Sequence, residues 1–152
     1  SRKQNVKDLT RTLLQNKFDV AEMHSDLEQS KREEVMNGFT SGRVPVLIAT
    51  DILSRGIDVD TIDIVINYDV PNDGEDYVHR SGRTARAEAD GAAFTFIGEK
   101  EQNKFAGIEQ LLGKEVEKAE VPESLGPVPA YHPRTRSGGG QNNRRYFNHK
   151  KR

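Results

Sequence analysis

The sequence predicts an α/β fold, an open, mostly parallel sheet with helices on both faces, followed by a disordered basic tail. Three mostly apolar runs, at residues 44–49, 62–66 and 92–97, are typical of strands covered on both faces of a parallel sheet. Strands that alternate with helices of ten or more residues imply right-handed crossovers. Because 152 residues with 34% hydrophobic content can build one ordinary core, we expect a single domain over residues 1–121.

The amino-terminal half is predicted to run helix, strand, helix, strand. Residues 2–16 carry apolar side chains at helical spacing, and residues 18–24 alternate apolar and polar side chains as a strand does. Asp26 and Gln29 form a capping pair that opens the second helix, which should stop near Gly42. The residues expected to face inward from the two helices are Val6, Leu9, Leu13, Val35, Met36 and Phe39.

The carboxyl-terminal half continues with strands at 62–66 and 92–97, separated by a helical stretch at 79–86. A final helix is expected from about Glu99 to Leu112. Its inward residues are predicted to be Phe105, Ile108 and Leu111.

Residues 79–86 place three arginines, Arg80, Arg83 and Arg86, at intervals of three residues. On a helix this spacing forms a stripe of guanidinium groups, with His79 one turn before Arg83. Adjacent cations repel one another, so such a face is best explained by an anion that lies against it. Guanidinium groups match phosphate oxygens two at a time. A solvated basic helix without a ligand is the alternative.

Composition excludes several classes of function. The chain has no cysteine, which rules out disulfides, zinc fingers and thiol chemistry and fits a cytoplasmic location. Its four histidines are widely separated and suggest no metal site. No apolar run approaches the length of a membrane span, so we expect no membrane partner.

The charge of the chain is unevenly distributed. Residues 124–152 contain seven Lys or Arg and no Asp or Glu, whereas the rest of the chain holds all 24 acidic residues. From residue 122 onward, prolines and the glycine run at 138–140 predict disorder over 122–152. Cations interspersed with Tyr131, Tyr146 and Phe147 suit single-stranded nucleic acid, and a solubilising tail is the open alternative.

Polar clusters at residues 24–32, 50–58 and 79–86 follow predicted strands or lie in the stretch between them, where an open parallel sheet forms its ligand crevice. They read Gln29-x-x-Arg32, Thr50-Asp51 through Gly56-x-Asp58, and His79-Arg80-x-Gly82-Arg83-Thr84-x-Arg86. In this order the three clusters resemble motifs IVa, V and VI of the C-terminal RecA-like lobe of DEAD-box ATP-dependent RNA helicases, a superfamily 2 group. The bacterial RhlE-type members are the most similar. Ser81 and Ala85 depart from the usual residues.

The resemblance implies an ATP site shared between two lobes. Arg83 and Arg86 would be arginine fingers that reach the γ-phosphate of ATP, and Asp58, beside Gly56, would accept hydrogen bonds from the ribose. His79 and Arg80 would couple this lobe to the N-terminal RecA-like lobe.

The resemblance also implies an RNA site. Gln29, Arg32 and Thr50 would contact phosphates and sugars of one RNA strand, and Gly56 would let the backbone come close. Such contacts do not read bases, so binding should be independent of sequence and sensitive to salt. Closure of the two lobes on RNA would separate a nearby duplex locally.

Two elements of the family are missing from the sequence. It contains neither a Gly-x-x-x-x-Gly-Lys loop nor Asp-Glu-Ala-Asp, so ATP and Mg²⁺ would be held by the N-terminal lobe. We expect that the strand before the first helix is cut off before Ser1. We therefore expect a separate lobe of a longer enzyme that has little ATPase activity alone.

Two other functions stay open. The chain could be a stand-alone RNA-binding module whose arginines never meet a nucleotide. It could also be a lobe of a DNA helicase or translocase of the same superfamily, although His79 and Thr84 favour the RNA branch.

Overall fold

In the computed structural model, residues 2–50, 62–82 and 91–133 are described. The helices are α1 (Arg2–Gln15), α2 (Gln29–Thr40), α3 (Gly74–Ser81) and α4 (Gln102–Leu112). The strands are β1 (Val20–Met23), β2 (Val46–Ala49), β3 (Ile64–Asn67) and β4 (Ala92–Thr95). Short 3₁₀ turns occupy Glu99–Glu101 and Glu123–Leu125. This alternation confirms the predicted α/β class.

The strands of the described part form two parallel pairs. β1 lies beside β2 with Val20 opposite Val46, and β3 lies beside β4 with Ile64 opposite Ala92. α1 packs on both strands of the first pair and α2 packs on β1, whereas α3 packs on β3 and α4 packs on α3. Parallel pairing brings the carboxyl ends of neighbouring strands to the same edge, which is where the predicted site residues should meet.

The first helix and strand agree closely with the prediction. α1 ends one residue before the expected position, and its apolar face buries Val6. Lys17 then adopts φ 64°, a left-handed conformation that reverses the chain direction. Because this turn occupies residues up to Asp19, the strand begins at Val20, two residues later than predicted.

The predicted capping role of Asp26 is wrong. α2 begins at Gln29, and its N-cap residue, Glu28, makes no side-chain hydrogen bond to the helix. Asp26 instead accepts from Lys3 and Lys7 of α1, at 2.7 and 3.3 Å. The carboxylate thus joins two elements that are distant in sequence, an interaction that local spacing cannot reveal.

The helix that contains the first residues of the 79–86 stretch begins earlier than predicted. α3 starts at Gly74, where the side chain of Asp73 accepts from the backbone N–H of Asp76 at 2.8 Å, as an N-cap does. The helix ends at Ser81, so the predicted helix over 79–86 coincides with α3 for three residues only. Residues 83–86 lie outside the described part of the chain.

The packed core of the carboxyl-terminal half lies between α3, α4 and the loop after β3. Val70, Phe105 and Ile108 are each 1% exposed and form one cluster. The inward prediction for Leu111 is wrong, because this side chain is 74% exposed. The chain beyond α4 folds back over the face that carries Phe105 and Glu109, and this moves the buried stripe of α4 away from Leu111.

The prediction of disorder from residue 122 is wrong for residues 130–132. Their backbone is hydrogen-bonded to the side chain of Gln102 on α4, and the ring of Tyr131 packs against Phe105. The prolines at 127, 129 and 133 are compatible with this extended segment, because its order comes from α4 and not from local secondary structure. Residues 134–152 lie outside the described part.

None of the helices in residues 2–50, 62–82 and 91–133 has both the length and the apolar composition needed to cross a bilayer.

Candidate nucleic-acid and nucleotide interface

The described residues include five of the nine predicted site residues. Gln29 and Arg32 lie in the first turn of α2, Thr50 directly follows β2, and His79 and Arg80 lie in the last turn of α3. The four remaining residues are outside the described ranges. These are Gly56, Asp58, Arg83 and Arg86.

The loop after β1 is fixed by a buried histidine. His24 is 2% exposed, and its Nδ1 accepts from the backbone N–H of Asp26 at 3.3 Å. Because Nδ1 accepts, the proton of the neutral ring is on Nε2, which lies 3.3 Å from Glu22 Oε1 and donates to it. This tautomer holds the loop that leads into α2.

Arg32 ties the same loop to the first turns of α2. Its Nη2 donates to the carbonyl oxygen of Ser25 at 3.0 Å. Its Nε is buried and has no hydrogen-bond partner among the described residues. The guanidinium therefore braces the loop that leads into α2.

Gln29 is exposed at the start of α2. Its Nε2 donates to Glu33 Oε1 at 3.0 Å, one turn further along the helix. Since both side chains are exposed, this bond is easily exchanged for one to solvent or to a ligand.

Thr50 lies directly beside this loop. Its N–H donates to the carbonyl oxygen of Met23 at 3.2 Å, which extends the β1–β2 pairing by one residue. In that register Thr50 follows the pair Met23 and Ala49, so it is level with His24. The structure thus places three predicted RNA-contacting residues, Gln29, Arg32 and Thr50, around the carboxyl ends of one strand pair.

Two cations missed by the sequence reasoning lie at the same edge. Lys3 and Lys7 bind the two carboxylate oxygens of Asp26, and the hydrogen bond from Lys3, followed by that from Lys7, lowers the pKa of Asp26. All three side chains are close to half exposed. The i, i+4 spacing of the two lysines on a predicted helix was the available signal.

The last turn of α3 braces the end of β3. Arg80 Nη1 donates to Asn67 Oδ1 at 3.2 Å and is 3.5 Å from the carbonyl oxygen of Asp69. Asn67 is 2% exposed, and its Nδ2 donates to Thr95 Oγ1 at 3.0 Å. Arg80 therefore fixes the geometry of its own lobe, and its predicted contact with another lobe stays a prediction.

His79 faces solvent. Its side chain is 55% exposed, and Nε2 lies 3.5 Å from Glu75 Oε1, one turn earlier. An exposed imidazole in the last turn is available to a partner, which agrees with the predicted role without testing it.

The loop after β3 is held by cations from α1 and α4. Arg2 Nη2 donates to Asn72 Oδ1 at 2.9 Å, and Lys104 Nζ donates to the carbonyl oxygen of Val70 at 2.6 Å.

Within the described ranges no group of three or more His, Asp or Glu side chains could hold a metal ion.

Comparisons with known proteins identify the family. Residues 1–88 match the helicase conserved C-terminal domain. The chain is 31% identical to the DEAD-box protein SrmB of E. coli, solved bound to the regulator of ribonuclease activity A, with a TM-score of 0.77 over 87% of this chain and 77% of that one. The chain belongs to the DEAD-box helicase family, as a C-terminal lobe.

Two further DEAD-box proteins extend the comparison. The chain is 44% identical to the Arabidopsis thaliana DEAD-box ATP-dependent RNA helicase 46, over 91% of this chain and 20% of that protein. It is 33% identical to S. cerevisiae Dbp5 bound to RNA and ADP BeF3, with a TM-score of 0.70 over 75% of this chain and 31% of that one. This DEAD-box lobe therefore spans about a fifth of the length of the plant relative.

Proposed function

We propose that the chain is the C-terminal half of an ATP-dependent RNA helicase that separates short duplexes locally. In this role it supplies sequence-independent contacts to one RNA strand and arginine fingers to ATP held by an N-terminal RecA-like lobe. Family membership supports the reaction class. S. cerevisiae Dbp5, a structural relative, has been solved with RNA and ADP BeF3.

The RNA contacts are supported by one observation. Arg32 and Thr50 donate to carbonyl oxygens of Ser25 and Met23 at the end of β1, and Gln29 is the first residue of the helix that follows. Lys3 and Lys7 are paired with Asp26 in the loop after β1. Amide, hydroxyl and guanidinium donors at one edge suit phosphate and ribose oxygens, and none of them is arranged to recognise a base. Gly56, six residues after Thr50 in the sequence, would let the RNA backbone approach.

The nucleotide contacts are assigned to residues outside the described part. Arg83 and Arg86 follow α3 in the chain, and their guanidinium groups would stabilise charge on the transferring phosphoryl group, an effect on the order of a thousandfold or more in rate. Asp58 would accept from the ribose. ATP would supply the phosphoryl group, and Mg²⁺ would be bound by the other lobe.

A comparison of phosphate release tests this function. We expect the 152-residue chain alone to release little phosphate from ATP with or without RNA. The complete protein should be stimulated strongly by RNA and weakly by DNA of the same sequence. Turnover by the isolated chain, or equal stimulation by DNA, would contradict the proposal. RNA binding without ATPase activity in the complete protein would favour a stand-alone RNA-binding module.

Two finer assignments are also proposals. The motif set and the basic tail favour a parent of the bacterial RhlE type, and the lack of cysteine favours the cytoplasm. Fractionation of cells that express the complete protein would test the second assignment, and recovery in a membrane or secreted fraction would contradict it.

A further inference from the structure

One face of α4 holds the chain that follows it. We use "strap" for residues 113–133, which leave the carboxyl end of α4 and return along the helix to its amino end. Gln102, Phe105 and Glu109 form the helix face under the strap, and they are 6%, 1% and 9% exposed. Their spacing of three and four residues places them on one side of the helix.

Gln102 binds the strap backbone at two points. Its Nε2 donates to the carbonyl oxygen of Ala130 at 2.8 Å, and its Oε1 accepts from the N–H of His132 at 2.8 Å. These two groups flank Tyr131. A side-chain amide that pairs with both of them acts as the backbone of a neighbouring strand would, so it selects an extended segment whatever its side chains are.

Tyr131 enters an aromatic pocket between these two bonds. Its ring meets Phe105 edge to face, with centroids 6.4 Å apart, and Phe105 meets Tyr77 of α3 in the same way at 5.9 Å. The Nζ of Lys118 lies 4.5 Å from the centre of the Tyr131 ring. The pocket therefore favours an aromatic side chain on steric and electrostatic grounds.

Glu109 at the end of this pocket favours a phenol. Oε2 accepts from the hydroxyl of Tyr131 at 2.8 Å, and Oε1 accepts from the N–H of Val116 at 2.8 Å and from Lys118. Burial raises the pKa of Glu109, but these three donors outweigh it and leave the pKa lowered. Burial, followed by the hydrogen bond to Glu109, raises the pKa of Tyr131. The neutral phenol and the carboxylate are thus the paired forms.

Order in the strap comes from this site. Residues 117–130 are exposed, so the segment between Val116, bound to Glu109, and the residues bound to Gln102 has no core of its own. We propose that α4 carries a binding site for an extended peptide with a central tyrosine, occupied by residues 130–132 of the same chain. The site fixes the point, next to α3, at which the cationic segment after Pro133 begins. Neither the sequence pattern nor membership of the helicase family assigns this site.

Weakening the strap's own binding, so that a separate peptide can compete for the site, tests the proposal. The full chain with Tyr131→Ala is titrated with a synthetic peptide of residues 127–134, and amide NMR signals are followed. We expect the peptide to shift the side-chain amide of Gln102 and the signals of α4 at millimolar concentration, and to leave the unsubstituted chain unchanged. A peptide with phenylalanine for tyrosine should bind about tenfold more weakly, because it lacks the hydrogen bond to a charged acceptor. No shift, equal shifts in both proteins or equal binding of both peptides would overturn the proposal.

A second variant guards against misfolding of the first. In the full chain with Gln102→Ala, the N–H of His132 should exchange with solvent at least tenfold faster, whereas the N–H of Phe96, which donates to the carbonyl oxygen of Asn67, should keep its protection. Unchanged protection of His132 would overturn the assignment of Gln102 as the side chain that holds the backbone of residues 130–132.

Discussion

The two strand pairs are stabilised in different ways. In the region of β1 and β2, the loop after β1 is fixed by the buried His24 and by ion pairs of half-exposed side chains, those of Lys3 and Lys7 with Asp26. In the region of β3 and β4, Phe105 and its aromatic neighbours are enclosed by α3, α4 and the strap. Exposed ion pairs contribute little stability, whereas buried aromatic side chains contribute several kcal/mol each. The difference indicates that the first region leaves its cations accessible to a polyanion, and that the second stabilises the fold.

The largest expected effect tests the second region. Phe105→Ala removes a ring that is 1% exposed and contacts Tyr77 and Tyr131, so the free energy of unfolding should fall by about 3–5 kcal/mol. Leu111→Ala is the matched control on the same helix, because Leu111 is 74% exposed and should change stability by less than about 0.5 kcal/mol. Urea denaturation followed by circular dichroism measures both. Equal effects would contradict the assignment of the core.

An intermediate effect is expected at the buried carboxylate. Glu109→Gln replaces a charged acceptor of three hydrogen bonds by a neutral one and should lower the free energy of unfolding by about 1.5–3 kcal/mol. Glu117→Gln, an exposed site on the strap, is the control and should have almost no effect. An unchanged free energy of unfolding in Glu109→Gln would mean that the strap is not held by this carboxylate.

The stability difference between the unsubstituted chain and Glu109→Gln should depend on pH. Because the pKa of Glu109 is lowered in the folded protein, its stabilisation is complete above the ordinary carboxyl pKa and is lost as the pH falls through the lowered value. The stability gap between the unsubstituted chain and Glu109→Gln should therefore be constant near neutral pH and shrink below about pH 4. A gap that grows in acid would contradict the pairing.

The smallest effect on stability is expected in the first region. Asp26→Asn removes the partner of Lys3 and Lys7 and should leave the urea midpoint almost unchanged, because the pairs are exposed. RNA binding should become tighter, and the slope of log affinity against log salt should steepen by about one, since a cation is released to meet phosphate. Asp8→Asn, which alters an exposed pair with Arg11 elsewhere on α1, is the control. Weaker RNA binding by Asp26→Asn would contradict an RNA-facing edge.

The sequence predicted what depends on local pattern. Apolar runs predicted β2, β3 and β4, alternation of apolar and polar residues predicted β1, and helical spacing predicted α1, α2 and α4. Burial and periodicity are properties of each segment alone. The Asp26 ion pairs, the exposure of Leu111 and the clamp at Gln102 were missed. Each depends on contacts between residues that lie up to 30 positions apart, which no local spacing encodes.

The site shows the same division. Motif spacing led to Gln29, Arg32 and Thr50, which the structure brings to one edge, whereas Lys3 and Lys7 carry no motif and were overlooked. Asn67 was also missed, because its role depends on the approach of Arg80 from α3.

The most direct test of the account is Arg83→Ala in the complete protein, with RNA-stimulated phosphate release and nucleotide-free RNA binding measured on the same preparation. If this lobe supplies an arginine finger, hydrolysis should fall on the order of a thousandfold while RNA affinity is largely retained. Hydrolysis at the unsubstituted rate, or loss of both activities together, would contradict the account.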